Sequence, residues 1–207
     1  MKRTLFALTL AAVAFSGPAF AQQNTTPAPQ TTPTPQNNTV NDRRTDQQDR
    51  IANGVQSGQL NAGETKNLEG REANLNREIR DDRSADDGKL TAQEHKQVNN
   101  QQNNLSKSIY TDKHNANVAH YGNNEIGQRR QNQRDRIAQG IRSGQMTAGE
   151  TARTENREQG INEQDHADRA ADGGKLTGQE KAGLNHQLNG ASRQIYRQKH
   201  NAVKAPK

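Results

Sequence analysis

The sequence has 207 residues, of which only 28% are hydrophobic and 3% aromatic, and it carries a formal net charge of +6. An ordinary globular domain is roughly 45–50% apolar, so this chain cannot bury one large core and must rely on narrow seams between helices. Cysteine is absent, which excludes a disulfide framework, thiol catalysis and a cysteine-ligated zinc site. The composition argues against a conventional enzyme.

The amino terminus has the layout of a secretory signal peptide. Lys2 and Arg3 precede an apolar run at residues 5–15, and Ala19 and Ala21 form a small-x-small cleavage site. This run is too short for a permanent membrane span, which needs about 20 apolar residues. The sequence therefore predicts cleavage after Ala21 and a soluble mature protein without a membrane span. Because cysteine is absent, we expect a bacterial periplasmic or secreted location.

Residues 22–41 follow the predicted signal peptide, residues 1–21, and are rich in Thr, Pro, Gln and Asn. Almost nothing in this stretch could be buried in a core. Such a composition is typical of a disordered or polyproline-like tether. We expect residues 22–41 to be a disordered linker that serves as a spacer.

The remainder of the chain repeats itself without gaps at an offset of about 86 residues. The segment DRIANGVQSGQLNAGET at 49–65 returns as DRIAQGIRSGQMTAGET at 135–151. Self-similarity of this kind predicts two homologous domains, joined by a connector and followed by a short tail. Their expected bounds are 42–116 for the first domain, 117–133 for the connector, 134–202 for the second domain and 203–207 for the tail.

Each copy is predicted to contain three helices, because its apolar residues recur at i, i+7 and i+11, which is one stripe of a helix. In the first copy these residues are Leu68, Leu75 and Ile79, then Val98, Leu105 and Ile109. The predicted helices span about 42–56, 62–83 and 92–113, with equivalents in the second copy. The expected fold is therefore all-α, with two homologous three-helix domains and short EF-hand-like loop pairing after a disordered linker.

Helix starts are marked by capping boxes, in which a side chain and a glutamate three residues later satisfy free backbone N–H groups reciprocally. The predicted capping residues are Asn61, Thr91, Thr147 and Thr177. The apolar set in each copy is small for the length of chain that must be ordered. We therefore expect stability to depend on a homodimer, on docking of the two domains or on a ligand.

The loop before the third helix resembles the second half of an EF-hand calcium loop. Gly88 would form the sharp turn, Leu90 follows two residues later, and Glu94 stands six residues beyond the glycine. The first and third ligand positions, however, fall on Arg83 and Ala85. The match therefore covers about half of a regular calcium loop.

Two interpretations of these loops remain open. In one, the glycine makes a turn, the leucine is buried and the glutamate belongs to a capping box. In the other, the loops form a noncanonical site for Ca²⁺ or another hard divalent cation. The carboxylates of that site are Asp82, Asp86, Asp87 and Glu94 in the first copy, and Asp168, Asp172 and Glu180 in the second. Either interpretation predicts short bridges, in which Leu60 meets Leu90 and Met146 meets Leu176.

The string SxxIYxxKHNA occurs in both copies and is the most specific feature of the sequence. Its polar and aromatic members are Tyr110, Lys113 and His114, then Tyr196, Lys199 and His200. In one interpretation these residues contact a ligand or a metal ion. In the other, the isoleucine and tyrosine pack inward, and the lysine and histidine face the carboxyl end of the helix.

Taken together, the SGQL/M, DGKLT/GGKLT and IYxxKHNA segments resemble small exported bacterial proteins of unassigned function that carry this helical unit singly or in tandem. The resemblance covers both predicted domains. It implies export and the repeat, and it supplies no activity.

The basic excess raises the alternative of nucleic-acid binding, but the basic residues are interleaved with Asp and Glu as on an ordinary solvated surface, and stacking aromatics are nearly absent. No nucleophile elbow, phosphate-binding glycine loop or HExxH motif occurs. The expected function is a non-enzymatic interaction or envelope-stress module, whose partner is a protein or another envelope component. The alternative is a divalent-cation-binding protein.

Overall fold

The computed structural model describes residues 39–206. The predicted signal peptide and residues 22–38 of the predicted linker lie outside the described residues. Within 39–206 the chain forms α-helices and no strand, which confirms the all-α fold. The helices are α1 (Val40–Ser57), α2 (Ala62–Ala85), α3 (Ala92–Lys113), α4 (Glu125–Arg142), α5 (Ala148–Ala171) and α6 (Gly178–His200). None of them is both long and apolar enough to cross a membrane.

The first helix of each copy begins earlier than the sequence predicts. α1 starts at Val40, inside the predicted linker, and α4 starts at Glu125, inside the predicted connector. Val40 and Ile126 are equivalent residues of the two copies, and only 5% and 2% of their surfaces are exposed. Each of these two residues packs into the smaller hydrophobic cluster of its copy. The repeat therefore extends beyond the segment with the most identical residues. The connector between α3 and α4 covers residues 114–124 only.

Local hydrogen bonds set the helix starts. The Asn61 side chain accepts the N–H of Glu64, and the Glu64 carboxylate accepts the N–H of Asn61. The same reciprocal pair begins α3, α5 and α6, which confirms all four predicted capping boxes. A fifth box begins α1, with Thr39 and Asp42. Each box satisfies two of the four N–H groups that a helix start leaves free.

The two copies of the repeat share one core, and the described residues belong to one compact unit. α1 packs against its equivalent α4, and α2 packs against its equivalent α5, more extensively than any helices within one copy pack together. Contacts between equivalent elements are what an approximate two-fold relation produces, as in a symmetric dimer. The central cluster contains Ile51, Ala52, Val55, Leu60, Leu68, Leu105 and Ile109 from the first copy, and Ile137, Ala138, Ile141, Met146 and Ile195 from the second.

The predicted bridge between Leu60 and Leu90 does not form, nor does that between Met146 and Leu176. Leu60 lies in the central cluster, where its N–H donates to the Gly54 carbonyl at 3.0 Å. Leu90 instead packs against a smaller cluster at the far end of its copy. The loop can fold back on its own helix because position 54 is glycine: a Cβ there would stand 2.6 Å from the Leu60 side chain.

Candidate functional site

The SxxIYxxKHNA segments end α3 and α6, and their aromatic rings lie on the surface. Tyr110 is 61% exposed and its ring stacks on that of His114, with 4.1 Å between centroids. Tyr196 and His200 repeat this stack at 4.1 Å. Neither tyrosine packs inward, as one interpretation expected. The preceding residue, Ile109, is buried instead, because neighbouring residues on a helix point in different directions.

The histidines of these segments bind their own helix ends, and other polar residues of the segments connect helices. Nδ1 of His114 lies 2.7 Å from the backbone oxygen of Tyr110, and the Asn115 amide donates to Glu64 at 2.8 Å. The second lysine, Lys199, is 8% exposed and donates to Gln139 of α4 at 2.7 Å. Helix termination and helix packing therefore account for these polar residues of the repeated string.

The acidic loops bring two predicted cation ligands together in each copy. Nearby negative charge from Glu94 raises the pKa of Asp86, and a hydrogen bond to Glu180 raises the pKa of Asp172. The two glutamates also accept the capping N–H groups, at 2.7 and 2.8 Å, and these bonds lower the pKa of each glutamate. Across residues 39–206, no three His, Asp or Glu side chains are grouped closely enough to hold a metal ion.

Of the other predicted cation ligands, Asp168 accepts a hydrogen bond from Gln164 at 2.6 Å. Asp87 occupies the turn after α2 with a positive φ of 50°. Asp82 lies near other acidic residues. Its pKa is raised mainly by desolvation and, to a smaller extent, by the negative charges of Glu94 and Glu78. In each copy the structure thus offers a pair of facing carboxylates.

A buried layer of charged side chains is the feature that sequence reasoning missed. Besides the capping Glu150, four glutamates and three arginines on the first two helices of the two copies are less than 9% exposed. They are Glu69, Glu72, Glu155 and Glu158, and Arg44, Arg130 and Arg134. The sequence does contain a signal for it. Glu72 stands four residues after Leu68 and three before Leu75, on the apolar stripe itself.

Burial shifts the ionisation of these glutamates. It raises the pKa of Glu155 to about 8 and that of Glu158 to about 7. It also raises the pKa of Glu72 to about 7, although the Arg44 charge acts in the opposite direction. For Glu69, burial and the charge of Glu72 raise the pKa well above its ordinary value. The layer therefore exchanges protons near neutral pH.

Arg134 of α4 connects the two copies through this layer. Its guanidinium donates to the Val55 carbonyl near the end of α1 and to the Leu60 carbonyl at 2.6 Å. It also donates to the hydroxyl of Tyr121 at 2.5 Å. A cation at the carboxyl end of a helix is favourable because the free carbonyls there carry partial negative charge.

Two clefts flank the charged layer, and they occupy equivalent places in the repeat. The first has a volume of about 430 Å³. Residues 44, 48, 72 and 76 line it from the first copy, and residues 141–144, 148, 205 and 206 line it from the second. The second cleft has a volume of about 390 Å³. Residues 130, 162 and 166 line it from the second copy, residues 61–63 from the first, and residues 117–121 from the connector.

The arginine of each cleft is held by a hydrogen bond to an asparagine side chain. Arg44 donates to Asn76 at 3.2 Å, and Arg130 donates to the equivalent Asn162. Arg130 also lies 3.6 Å from the carboxylate of Asp165. A buried acid accompanies each arginine: neither oxygen of Glu72 meets hydrogen-bond geometry with a described donor, although the Arg44 charge and then the Asn76 amide lower its pKa, and one oxygen of the equivalent Glu158 likewise has no described partner. The first cleft thus combines a fixed cation with an incompletely hydrogen-bonded carboxylate.

Comparison with protein-family models, with curated proteins and with solved structures gives no match.

Proposed function

We propose that the protein is a non-enzymatic exported binding module and that its site is the first cleft. The observation that carries this proposal is Glu72, a buried carboxylate on the edge of a cleft. Neither of its oxygens meets hydrogen-bond geometry with a described donor, and its nearest polar neighbours are the Arg44 charge and the Asn76 amide, both of which lower its pKa. A buried polar atom without a partner costs about 1–3 kcal/mol. Its retention beside a cleft is explained if a ligand supplies the missing donor. The volume of the cleft is in the range of ordinary ligand sites.

The predicted signal peptide and the resemblance to exported bacterial proteins favour a role in the cell envelope or outside the cell. The occupant would then be a protein segment or another envelope component. The cleft suits an amphipathic group, because Arg44 and Glu72 offer charge while Ile141, Ala148 and Ala205 offer apolar surface.

Site-specific photo-crosslinking in the producing cell tests this proposal. A photoreactive side chain at Thr45, which is exposed and lines the first cleft, should give defined adducts. The matched control is Gln131, the equivalent residue of the second copy, which is not among the residues lining the second cleft. Adducts from position 45 that are absent from position 131 would support the proposal. Equal adducts at both positions, or none at position 45, would contradict it.

A second candidate function is divalent-cation binding by the acidic loops, favoured by the facing carboxylates of Asp86 with Glu94 and of Asp172 with Glu180. Bound Ca²⁺ would relieve the repulsion in each pair, so we expect the melting temperature to rise by several degrees in millimolar calcium relative to chelator.

The double variant Asp86→Asn/Asp172→Asn should abolish this rise while leaving the capping glutamates in place. Asp46→Asn, an exposed aspartate of α1, should keep the rise. Circular dichroism melts record both results. Superimposable melts of the unmodified protein in the two buffers would eliminate this candidate.

A further inference from the structure

We propose that the first cleft binds a phenol ring, supplied by a tyrosine side chain or by a free phenolic molecule, with the ring stacked on Arg44. This inference deepens the proposed function and rests on it. Its basis is that the equivalent cleft already contains such a ring, contributed by the chain itself through Tyr121.

Tyr121 shows how the second cleft holds a phenol. The Cζ atom of Arg130 lies 4.6 Å from the centre of the Tyr121 ring, and that of Arg134 lies 5.2 Å away. The hydroxyl accepts a hydrogen bond from Arg134 at 2.5 Å. Arg130 is only 7% exposed, and a cation is attracted more strongly to an aromatic face when water is excluded. The ring therefore lies in a built site rather than on the surface.

The first cleft repeats the cationic platform. Arg44 is equivalent to Arg130, is 4% exposed, and is held by Asn76 as Arg130 is held by Asn162. A buried glutamate accompanies each arginine, because the Arg44 charge acts on the pKa of Glu72 as the Arg130 charge acts on that of the equivalent glutamate. The nearer of the two arginines that contact the Tyr121 ring is therefore present in both clefts.

The chain approaches both clefts by the same route. The N–H of Ala119 donates to the Gly58 carbonyl at 2.9 Å, and the N–H of Ala205 donates to the Gly144 carbonyl at 3.0 Å. Two residues after Ala119 stands Tyr121. The position two residues after Ala205 is a lysine rather than an aromatic residue and lies outside the described residues. Among the described residues, no aromatic ring stacks on the arginine of the first cleft.

The polar surroundings favour a phenol over an unsubstituted ring. The residue equivalent to Arg134 is Gln48, whose amide donates to Glu69 at 3.2 Å. Glu72, on the same cleft, has no donor in hydrogen-bond geometry at either oxygen, and only the Arg44 charge and the Asn76 amide act on it. A phenolic O–H can donate a hydrogen bond to Glu72 while the ring stacks on the Arg44 guanidinium. One phenol would then make both the cation–π contact and the hydrogen bond. An unsubstituted ring would leave the buried acceptor without a partner.

The decisive experiment is a titration of the full mature chain with p-cresol, the free side chain of tyrosine, followed by two-dimensional NMR. We expect one site, a Kd on the order of 1 mM and shifts at the Arg44 side chain. Toluene, which lacks the hydroxyl, should bind about tenfold more weakly. N-acetyltyrosinamide separates the two sources: shifts at Arg44 with both phenols support a tyrosine side chain, and shifts with p-cresol alone support a free phenolic molecule.

Two variants complete the test. Arg44→Met should weaken p-cresol binding about tenfold by removing the cation under the ring. Tyr121→Ala vacates the second cleft, so the stoichiometry should rise from one p-cresol to two, and the added ligand should raise the melting temperature of this variant. This second readout does not depend on whether the Arg44 variant folds.

The inference is overturned if neither phenol shifts Arg44 at millimolar concentration, or if toluene binds as well as p-cresol. Its failure is separable from that of the proposed function. Adducts confined to position 45 with no p-cresol binding would refute the phenol and leave the binding module in place. Loss of both the adducts and p-cresol binding would refute both.

Discussion

Replacing Arg134 by methionine is expected to lower the free energy of unfolding by about 3–5 kcal/mol, the usual cost of removing one partner from a buried charged cluster. The guanidinium donates to the Val55 and Leu60 carbonyls of the first copy and to the Tyr121 hydroxyl. Methionine fills similar space but donates nothing, so these acceptors lose their partner inside the protein. Glu155 also loses the cation that lowers its pKa.

Urea unfolding at pH 7 measures this loss. The matched control is Gln48→Met, at the equivalent position of the first copy, where the side chain makes one hydrogen bond, to Glu69. That variant should cost about 1 kcal/mol. Equal losses in the two variants would mean that the hydrogen bonds of Arg134 do not hold the two copies together.

The stability of the protein is expected to fall as the pH rises from about 5 to about 9. Glu155, Glu72 and Glu158 have folded-state pKa values of about 8, 7 and 7, well above the ordinary glutamate value near 4.3. Between these values the folded state binds more protons than the unfolded state. The stabilisation is therefore fully present below about pH 4.3 and is lost as the pH rises through the folded-state pKa values.

The neighbouring charges do not reverse this sign. Arg134 and Glu158 act on Glu155 with opposite effects, and burial outweighs both. The same holds for Glu72, where burial outweighs the attraction of Arg44. Each pKa unit corresponds to about 1.4 kcal/mol, so the change summed over the layer is several kcal/mol.

Glu155→Gln isolates the effect, because the amide keeps the shape of the side chain without its charge. We expect this variant to melt several degrees higher than the unmodified protein at pH 9 and at nearly the same temperature at pH 5. Glu163→Gln, at an exposed position of the same helix, should change neither melt. A parallel pH dependence in all three proteins would show that the buried layer does not carry the proton linkage.

The amino-acid sequence by itself determined the local structure of this protein. The bounds of α3 and the capping boxes at Asn61, Thr91, Thr147 and Thr177 agree with prediction. The reason is that helical hydrogen bonds and capping boxes join residues three or four apart, so their pattern can be read directly from the chain. The repeated leucine and isoleucine stripes are likewise buried, because a helix places residues of that spacing on one face.

Only the tertiary structure decided which polar residues of the two copies are buried and which partners they contact. Arg134 meets Val55, 79 positions away in the sequence, and Lys66 meets Gln159, 93 positions away. Pairing of α1 with α4 and of α2 with α5 buries one face of each helix, glutamates included, and leaves the clefts beside them. A charged residue has the same local pattern whether it faces water or the other copy. Its burial, its pKa and its part in a site therefore depend on the partner surface, which only the folded chain supplies.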